Sequence, residues 1–127
     1  MPKKVIYSSS APEPIGPYSQ AIQTGNLLFI SGQIAIQKPS GNLITENIKE
    51  ETIQVMKNIE AILKASGMNF SNVVKSTIFL KDFNHFQHVN EIYGSFFHDS
   101  PPARETVEVS RLPKDVNVEI SCIAVLD

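Results

Sequence analysis

Arginine occurs only twice in this chain of 127 residues, at 104 and 111, and cysteine only once, at 122. A lone cysteine excludes an internal disulfide and a multi-cysteine metal site, and it favours a reducing compartment. Basic residues are scattered. Lys3-Lys4 is the one adjacent pair and the formal charge is −2, so the electrostatic footprint of a nucleic-acid binder is missing. No apolar run approaches transmembrane length, and the opening MPKKVIYSSS lacks the apolar core of a signal peptide. A cytoplasmic protein is the expectation. There is no Gly-rich phosphate loop, no Walker motif and no G-x-S-x-G elbow. No repeat, low-complexity tract or long linker divides the chain, so one domain over 1–127 is expected.

What is present reads as a globular composition, 42% hydrophobic and 19% charged. SAPEPIGPY (10–18) holds three prolines and a glycine, which predicts a stiff, ordered arm able to present Tyr18. NLLFISGQIAI (26–36) reads as a strand and KPSGN (38–42) as a turn. Ile48, Thr52, Val55, Met56, Ile59, Ile62 and Leu63 keep helical spacing, with Asn47 and Glu50 as a capping pair and Gly67 as a stop. NVVKSTIFL (72–80) is a strand. A second helix carries Phe86, Val89, Tyr93, Phe96 and Phe97 on one stripe, and ETVEVSRL and VNVEISCIAVL add two strands. The coarse order is β-β-α-β-α-β-β: an α/β (α+β) fold with a single mixed sheet and two helices on one face.

Alternation along the strands sharpens this. Val118, Ile120, Cys122, Ala124 and Leu126 share a wholly apolar face, which should meet the helices. The opposite face, Asn117, Glu119, Ser121, Ile123 and Val125, is half apolar. Strand 27–36 divides likewise, with Leu28, Ile30, Ile34 and Ile36 on one side and Leu27, Phe29, Ser31, Gln33 and Ala35 on the other. Two helices cover one sheet face, and an uncovered face this apolar marks an interface. A homo-oligomer is therefore expected, with polar residues of that face as candidates for a site between subunits.

Arg104, Thr106 and Glu108 share a parity, with Val107 and Val109 directed toward a core. A guanidinium grips a carboxylate through two parallel hydrogen bonds, although a surface arginine beside a carboxylate fits the same spacing. Glu119, on the half-apolar face, is placed either to orient a water or to pair with Arg104 or Arg111. Ser31-Gly32 interrupts an apolar strand, which predicts a bulge or a close backbone approach. His85 and His88 lack a nearby carboxylate partner, and His85, His88 and His98 read as a solvated face rather than a metal site. Cys122 reads as a buried core thiol.

Six segments together resemble the RidA (YjgF) family of reactive intermediate deaminases: IGPYSQAI (15–22), FISGQI (29–34), VVKSTIFLKDF (73–83), VNEIYGSFF (89–97), PARETVEVSRLPKD (102–115) and VEISCIAV (118–125). The resemblance runs over essentially the whole chain. It implies a chorismate-mutase-like fold, a homotrimer with sites in the clefts between subunits, and no cofactor or metal. It also implies hydrolysis of 2-imino acids, such as 2-iminobutanoate and 2-iminopropanoate, to 2-keto acids and ammonia, a form of metabolite damage control. Carried over residue by residue, Arg104 of the P-A-R motif would bind the substrate carboxylate and Glu119 of the V-E-I motif would orient water. Tyr18, Ser31, Gly32, Phe86 and Asn90 would line the cleft, and Thr106 would donate a hydrogen bond. Thr106 stands where many members carry cysteine, and Glu105 replaces a small or neutral residue. Two other classes of function stay open at this stage. One is a non-catalytic sensor of 2-keto acids, which needs Arg104 but no placed water. The other is an RNA- or protein-acting module, against which the scattered charge argues.

Overall fold

The computed structural model describes residues 2–127. The chain runs through β1 (Lys4–Ile6), β2 (Ala21–Thr24), β3 (Leu27–Gln33), α1 (Ile48–Ala65), β4 (Val73–Leu80), α2 (Phe86–Gly94), β5 (Ala103–Glu108) and β6 (Val118–Val125). The strands form one sheet in the order β1-β2-β3-β6-β4-β5. Only β4 and β5 pair in parallel, so the sheet is mixed as expected. Three strands, not two, precede α1. The additional pairing arises because Gly25, at φ +60°, and Asn26 form a two-residue turn that folds Ala21–Thr24 back onto β3, and Lys4–Ile6 then adds a short edge.

α1 begins and ends where its sequence signals stand. The Asn47 side chain accepts from the Glu50 N–H at 2.8 Å. At the other end Met68 N–H reaches Leu63 O and Gly67 N–H reaches Lys64 O, a Schellman closure with Gly67 at φ +73°. Val55, Met56, Ile59, Ile62 and Leu63 are buried against Leu28 and Ile30 of β3, Ile78 and Leu80 of β4, and Val118 and Ile120 of β6. α2 adds Val89 and Tyr93 to the same core, so both helices lie on one sheet face. α2 is shorter than its apolar stripe. Phe96 and Phe97 follow its end and pack on Phe70, with Phe97 also against Tyr93.

Among the described residues, no helix covers the opposite face. Phe29 (42% exposed), Leu27, Val5 and Val107 lie on it, with Ile22, Ile123 and Val125 half-buried. Val107 was expected to point into a core. At 40% exposed it lies instead on the open face, because its parallel partner is Phe79, whereas Arg104 and Thr106 pair beside the buried Ser76 and Ile78. Val109, just past the strand, does reach a smaller cluster with Ile34, Leu112 and Val116.

A bulge corrects the expected alternation of strand 27–36. Ile30 pairs with Cys122 but Gln33 pairs with Ile120, so β3 carries one extra residue at Ser31-Gly32. Beyond it the faces exchange: Ala35 joins the main core, while Ile34 and Ile36 belong with the smaller cluster. Asn58 of α1 holds this shifted segment, donating through Nδ2 to the carbonyls of Ile34 and Ile36, both at 3.0 Å. Among the described residues, no helix is long and apolar enough to cross a membrane.

Asn58→Ala is expected to destabilise the fold by about 1–3 kcal/mol, because buried carbonyls lose their donor. Urea unfolding at fixed protein concentration checks this, and an unchanged midpoint would show that Asn58 does not hold the segment.

Candidate functional site

Arg104 leaves β5 on the helix-covered face and lies under α2. Its Nη1 donates to Asn90 Oδ1 at 2.7 Å. Its guanidinium carbon sits 5.2 Å from the Tyr93 ring centroid and 5.7 Å from that of Phe86, within cation–π range. Phe83 stacks on Phe86 at 5.0 Å and so backs that ring. The ion pairs among the described residues are Lys38–Glu13, Lys49–Glu91, Lys75–Glu105 and Arg111–Asp115. Arg104 is in none of them. A guanidinium has five donor hydrogens, and Asn90 takes one.

Three buried polar atoms of this region, Thr106 Oγ1, Tyr93 Oη and His85 Nδ1, have no hydrogen-bond partner among the described residues. Thr106 is two residues beyond Arg104 on the same face of β5, and His85 immediately precedes α2. Burial raises the Tyr93 phenol above its ordinary value, so it remains a donor at neutral pH.

Glu119 occupies the other face. It leaves β6 on the open side, beside Phe79 of β4. It lines a cavity of about 40 Å³ with Gly32, Tyr18, Glu13, Ile34 and Pro113, room for a few waters. A Cβ on Gly32 would stand 2.8 Å from Glu119 Cδ. The missing side chain is therefore what lets the carboxylate lie against the bulge. Desolvation by burial raises the Glu119 carboxyl above the usual carboxylate range. No hydrogen bond or ion pair among the described residues engages it.

The arm carrying Tyr18 is held from several sides. Gln20 is buried and bonds Ser8 N–H at 2.7 Å and the carbonyls of Ser8 (3.1 Å) and Pro12 (2.9 Å). Tyr18 Oη accepts from Ile15 N–H at 3.2 Å. Glu13 accepts from Tyr7 Oη and pairs with Lys38 at 3.1 Å.

The sequence candidates thus fall into two groups on opposite faces of one sheet. Arg104, Asn90, Phe86 and Thr106 form one; Glu119, Gly32 and Tyr18 form the other. Ser31 stands behind the second group, its hydroxyl donating to Ser19 O at 2.6 Å. Glu119 pairs with neither Arg104 nor Arg111, which instead bonds Asp115 at 2.7 Å. Glu105 points away from Arg104 and pairs with Lys75 at 3.2 Å on the open face. His88 is exposed, but His85 is half-buried rather than solvated, since it immediately precedes Phe86, which packs against the core. Among the described residues, no group of three or more His, Cys, Asp or Glu side chains is placed to hold a metal ion. Cys122 is buried, and desolvation pushes its thiol up to about 11, away from the thiolate.

Sequence reasoning treated Tyr93 only as core and did not single out Gln20, Asn58 or Glu51. All four are buried with polar atoms. A polar residue inside an apolar helical stripe is the signal available for Asn58 and Glu51.

Gly32→Ala is expected to displace the Glu119 carboxylate, since that side chain is the atom group the new Cβ meets. The Glu119 carboxyl then titrates lower, toward the ordinary range, in a ¹³C-detected NMR pH series. An unchanged titration would show that the glycine notch does not set its environment.

Comparisons with known proteins give one answer. The family model described as endoribonuclease L-PSP matches residues 8–126. A RutC family protein of Pyrococcus horikoshii is 54% identical, over 96% of this chain and 97% of its own length. A 2-iminobutanoate/2-iminopropanoate deaminase of Dermatophagoides farinae is 44% identical, over 99% of this chain and 98% of its own. The solved structure of Escherichia coli TdcF with bound serine superposes with a TM-score of 0.94 at 37% identity, covering 98% of this chain and 99% of that one. With its one-sided six-stranded sheet and these relatives, the chain belongs to the endoribonuclease L-PSP group, the RidA/YjgF family.

Proposed function

We propose that this protein hydrolyses 2-imino acids to 2-keto acids and ammonia, at a site completed only when two copies meet. Three copies would close a ring with three such sites. The carrying observation is the split of the candidate residues. Among the described residues, an arginine without a carboxylate partner lies on one sheet face, and a desolvated carboxylate without a donor lies on the other. Within one chain they cannot share a small ligand. The open apolar face, with Phe29, Val107 and Leu27 exposed, supplies the surface that a second copy would cover. The relative named a 2-iminobutanoate/2-iminopropanoate deaminase and the serine-bound relative support a ligand with a carboxylate next to a nitrogen-bearing carbon.

In this reading Arg104 of one copy grips the substrate carboxylate with the donors Asn90 leaves free. The stacking of Phe86 and Tyr93 keeps the guanidinium from swinging. Thr106 and Tyr93 offer further hydroxyls to the carboxylate oxygens. Glu119 of the neighbouring copy takes a proton from a water as that water attacks C2. The C=N bond becomes a single bond in a tetrahedral carbinolamine, and Glu119 hands the proton it took to the nitrogen. In the collapse Glu119 takes the carbinolamine hydroxyl proton as the C=O bond forms and delivers it to the nitrogen as C–N breaks, which releases ammonia and leaves Glu119 as it began. No covalent nucleophile is needed, so threonine at 106 suffices. The same Arg104 serves a non-catalytic 2-keto acid sensor, but that reading leaves the desolvated Glu119 without a task.

Imino acids generated in situ by an amino-acid oxidase provide the test. Wild type is expected to speed their decay, Arg104→Ala to lose about 10²-fold or more in kcat/KM, and Glu119→Gln to lose about 10²–10⁴-fold in kcat. Wild type indistinguishable from buffer would sink the deaminase reading. The rate should fall as pH drops through the raised Glu119 value, an acid limb lying above the ordinary carboxylate range. For the assembly, sedimentation at micromolar concentration is expected to give a trimer, and a monomer alone would contradict it.

Linkage gives Glu119 an independent signature. Its folded value is raised, so between the unfolded and folded values the folded chain binds the extra proton. Its contribution to stability therefore declines as pH rises through that window. Glu119→Gln removes the penalty, and its melting temperature is expected to exceed wild type at pH 7 by a margin that shrinks at pH 4.

A further inference from the structure

Glu51 is a carboxylate in the middle of the core face of α1, with 0% of its surface exposed. Its Oε2 accepts from Asn117 N–H at 2.7 Å and Val118 N–H at 3.2 Å, and its Oε1 from Asn117 Nδ2 at 2.8 Å. No ion pair among the described residues includes it, so hydrogen bonds alone engage the buried carboxyl group. The three donors belong to the residues immediately before Glu119. Asn117 is gripped from its other side as well, its carbonyl accepting from Lys81 N–H at 3.0 Å.

What Glu51 holds is the very start of β6, where the pairing of Val118 with Leu80 and Glu119 with Phe79 begins. The preceding turn, Pro113–Asp115, has two successive non-glycine residues at positive φ, Lys114 at 54° and Asp115 at 57°. Such backbone persists only when its surroundings determine it. Pro113 of the same turn lines the Glu119 cavity. Glu119 has no side-chain hydrogen bond of its own among the described residues, so its carboxylate goes where the start of β6 and the Gly32 notch send it. Glu13 and Tyr18 are the other titratable side chains lining that cavity.

We propose that Glu51 is a positioning residue for catalysis: its clamp on Asn117 and Val118 sets where the Glu119 carboxylate meets substrate and water. This rests on the deaminase reading for its kinetic part only. The clamp acts through hydrogen-bond acceptance rather than charge. Glutamine keeps an acceptor for the two backbone N–H groups, and the Asn117 amide can flip to meet the new NH₂. Aspartate is one methylene too short to hold all three donors.

The test is imino-acid turnover with Glu51→Asp and Glu51→Gln, beside a ¹³C-detected pH titration of Glu119. Glu51→Asp is expected to lose about 10–100-fold in kcat with KM within about threefold, because the Arg104 half is untouched. Its Glu119 titration moves down toward the ordinary carboxylate range as the group escapes its buried position. Glu51→Gln should stay within about threefold of wild type in kcat, with the Glu119 titration unmoved. Asn117→Ala, which keeps both backbone bonds, should show the aspartate changes at smaller size and serves as the measure should Glu51→Asp not fold. A folded Glu51→Asp with wild-type kcat and unchanged Glu119 titration overturns the proposal, as does a Glu51→Gln that behaves like the aspartate. Should wild type show no turnover, the deaminase reading fails, while the titration still decides whether Glu51 positions Glu119.

Discussion

Two helices cover one face of a six-stranded sheet, and side chains along a strand must alternate between faces. From this constraint follow both the core and the separation of the candidate site residues. Arg104 pairs beside Ser76 and so faces the helices, whereas Glu119 pairs beside Phe79 and so faces the open side. No side-chain rotation carries either across the sheet. A chain that uses both on one small ligand has to assemble, and the apolar open face supplies the driving force that makes assembly favourable.

The bulge at Ser31-Gly32 works within that constraint. By adding one residue to β3 it reverses which side chains of 33–36 meet the main core. It also places a residue without a Cβ under Glu119. The cost is a carboxylate lying half-buried with its proton affinity raised by desolvation alone. Arg104 is treated differently. Its charge is kept in a cradle of one amide and two aromatic rings that leaves most of its donors unspent. Among the described residues, neither group has an ionic partner.

Local patterns were legible in the sequence and long-range ones were not. The α1 stripe, the Asn47 cap and the Gly67 stop depend on residues within a turn or two, and all stand where the spacing put them. The alternation of β6 was equally plain, because β6 itself carries no extra residue and its pairing with β4 is unbroken between 118 and 123. Past Ser31-Gly32 the same reasoning failed, since one inserted residue exchanges every later face. Val107 was misassigned for a related reason. Parity groups Arg104 with Thr106, but only the pairing of β5 with β4 says which face each group takes. Glu51 escaped notice because its partners at 117 and 118 lie 66 and 67 positions away. The residues of the candidate site itself were readable through family resemblance, and their division between two faces was not.

That division bears on the electrostatics of the proposed reaction. A general base and an anion clamp in one unassembled chain would attract each other, and an Arg104–Glu119 ion pair would spend both charges before substrate arrived. Setting them on opposite faces prevents the pair within the chain. In the proposed assembly the two groups would meet across a subunit cleft, their spacing set by the sheets that carry them, with room for a ligand carboxylate between them. Glu105 illustrates the same logic. It is adjacent to Arg104 in sequence, yet alternation sends it to the open face, where Lys75 at 3.2 Å takes up its charge. A negative residue next to Arg104 therefore leaves the guanidinium donors free, and it is the strand geometry, not the identity of residue 105, that keeps the two charges apart.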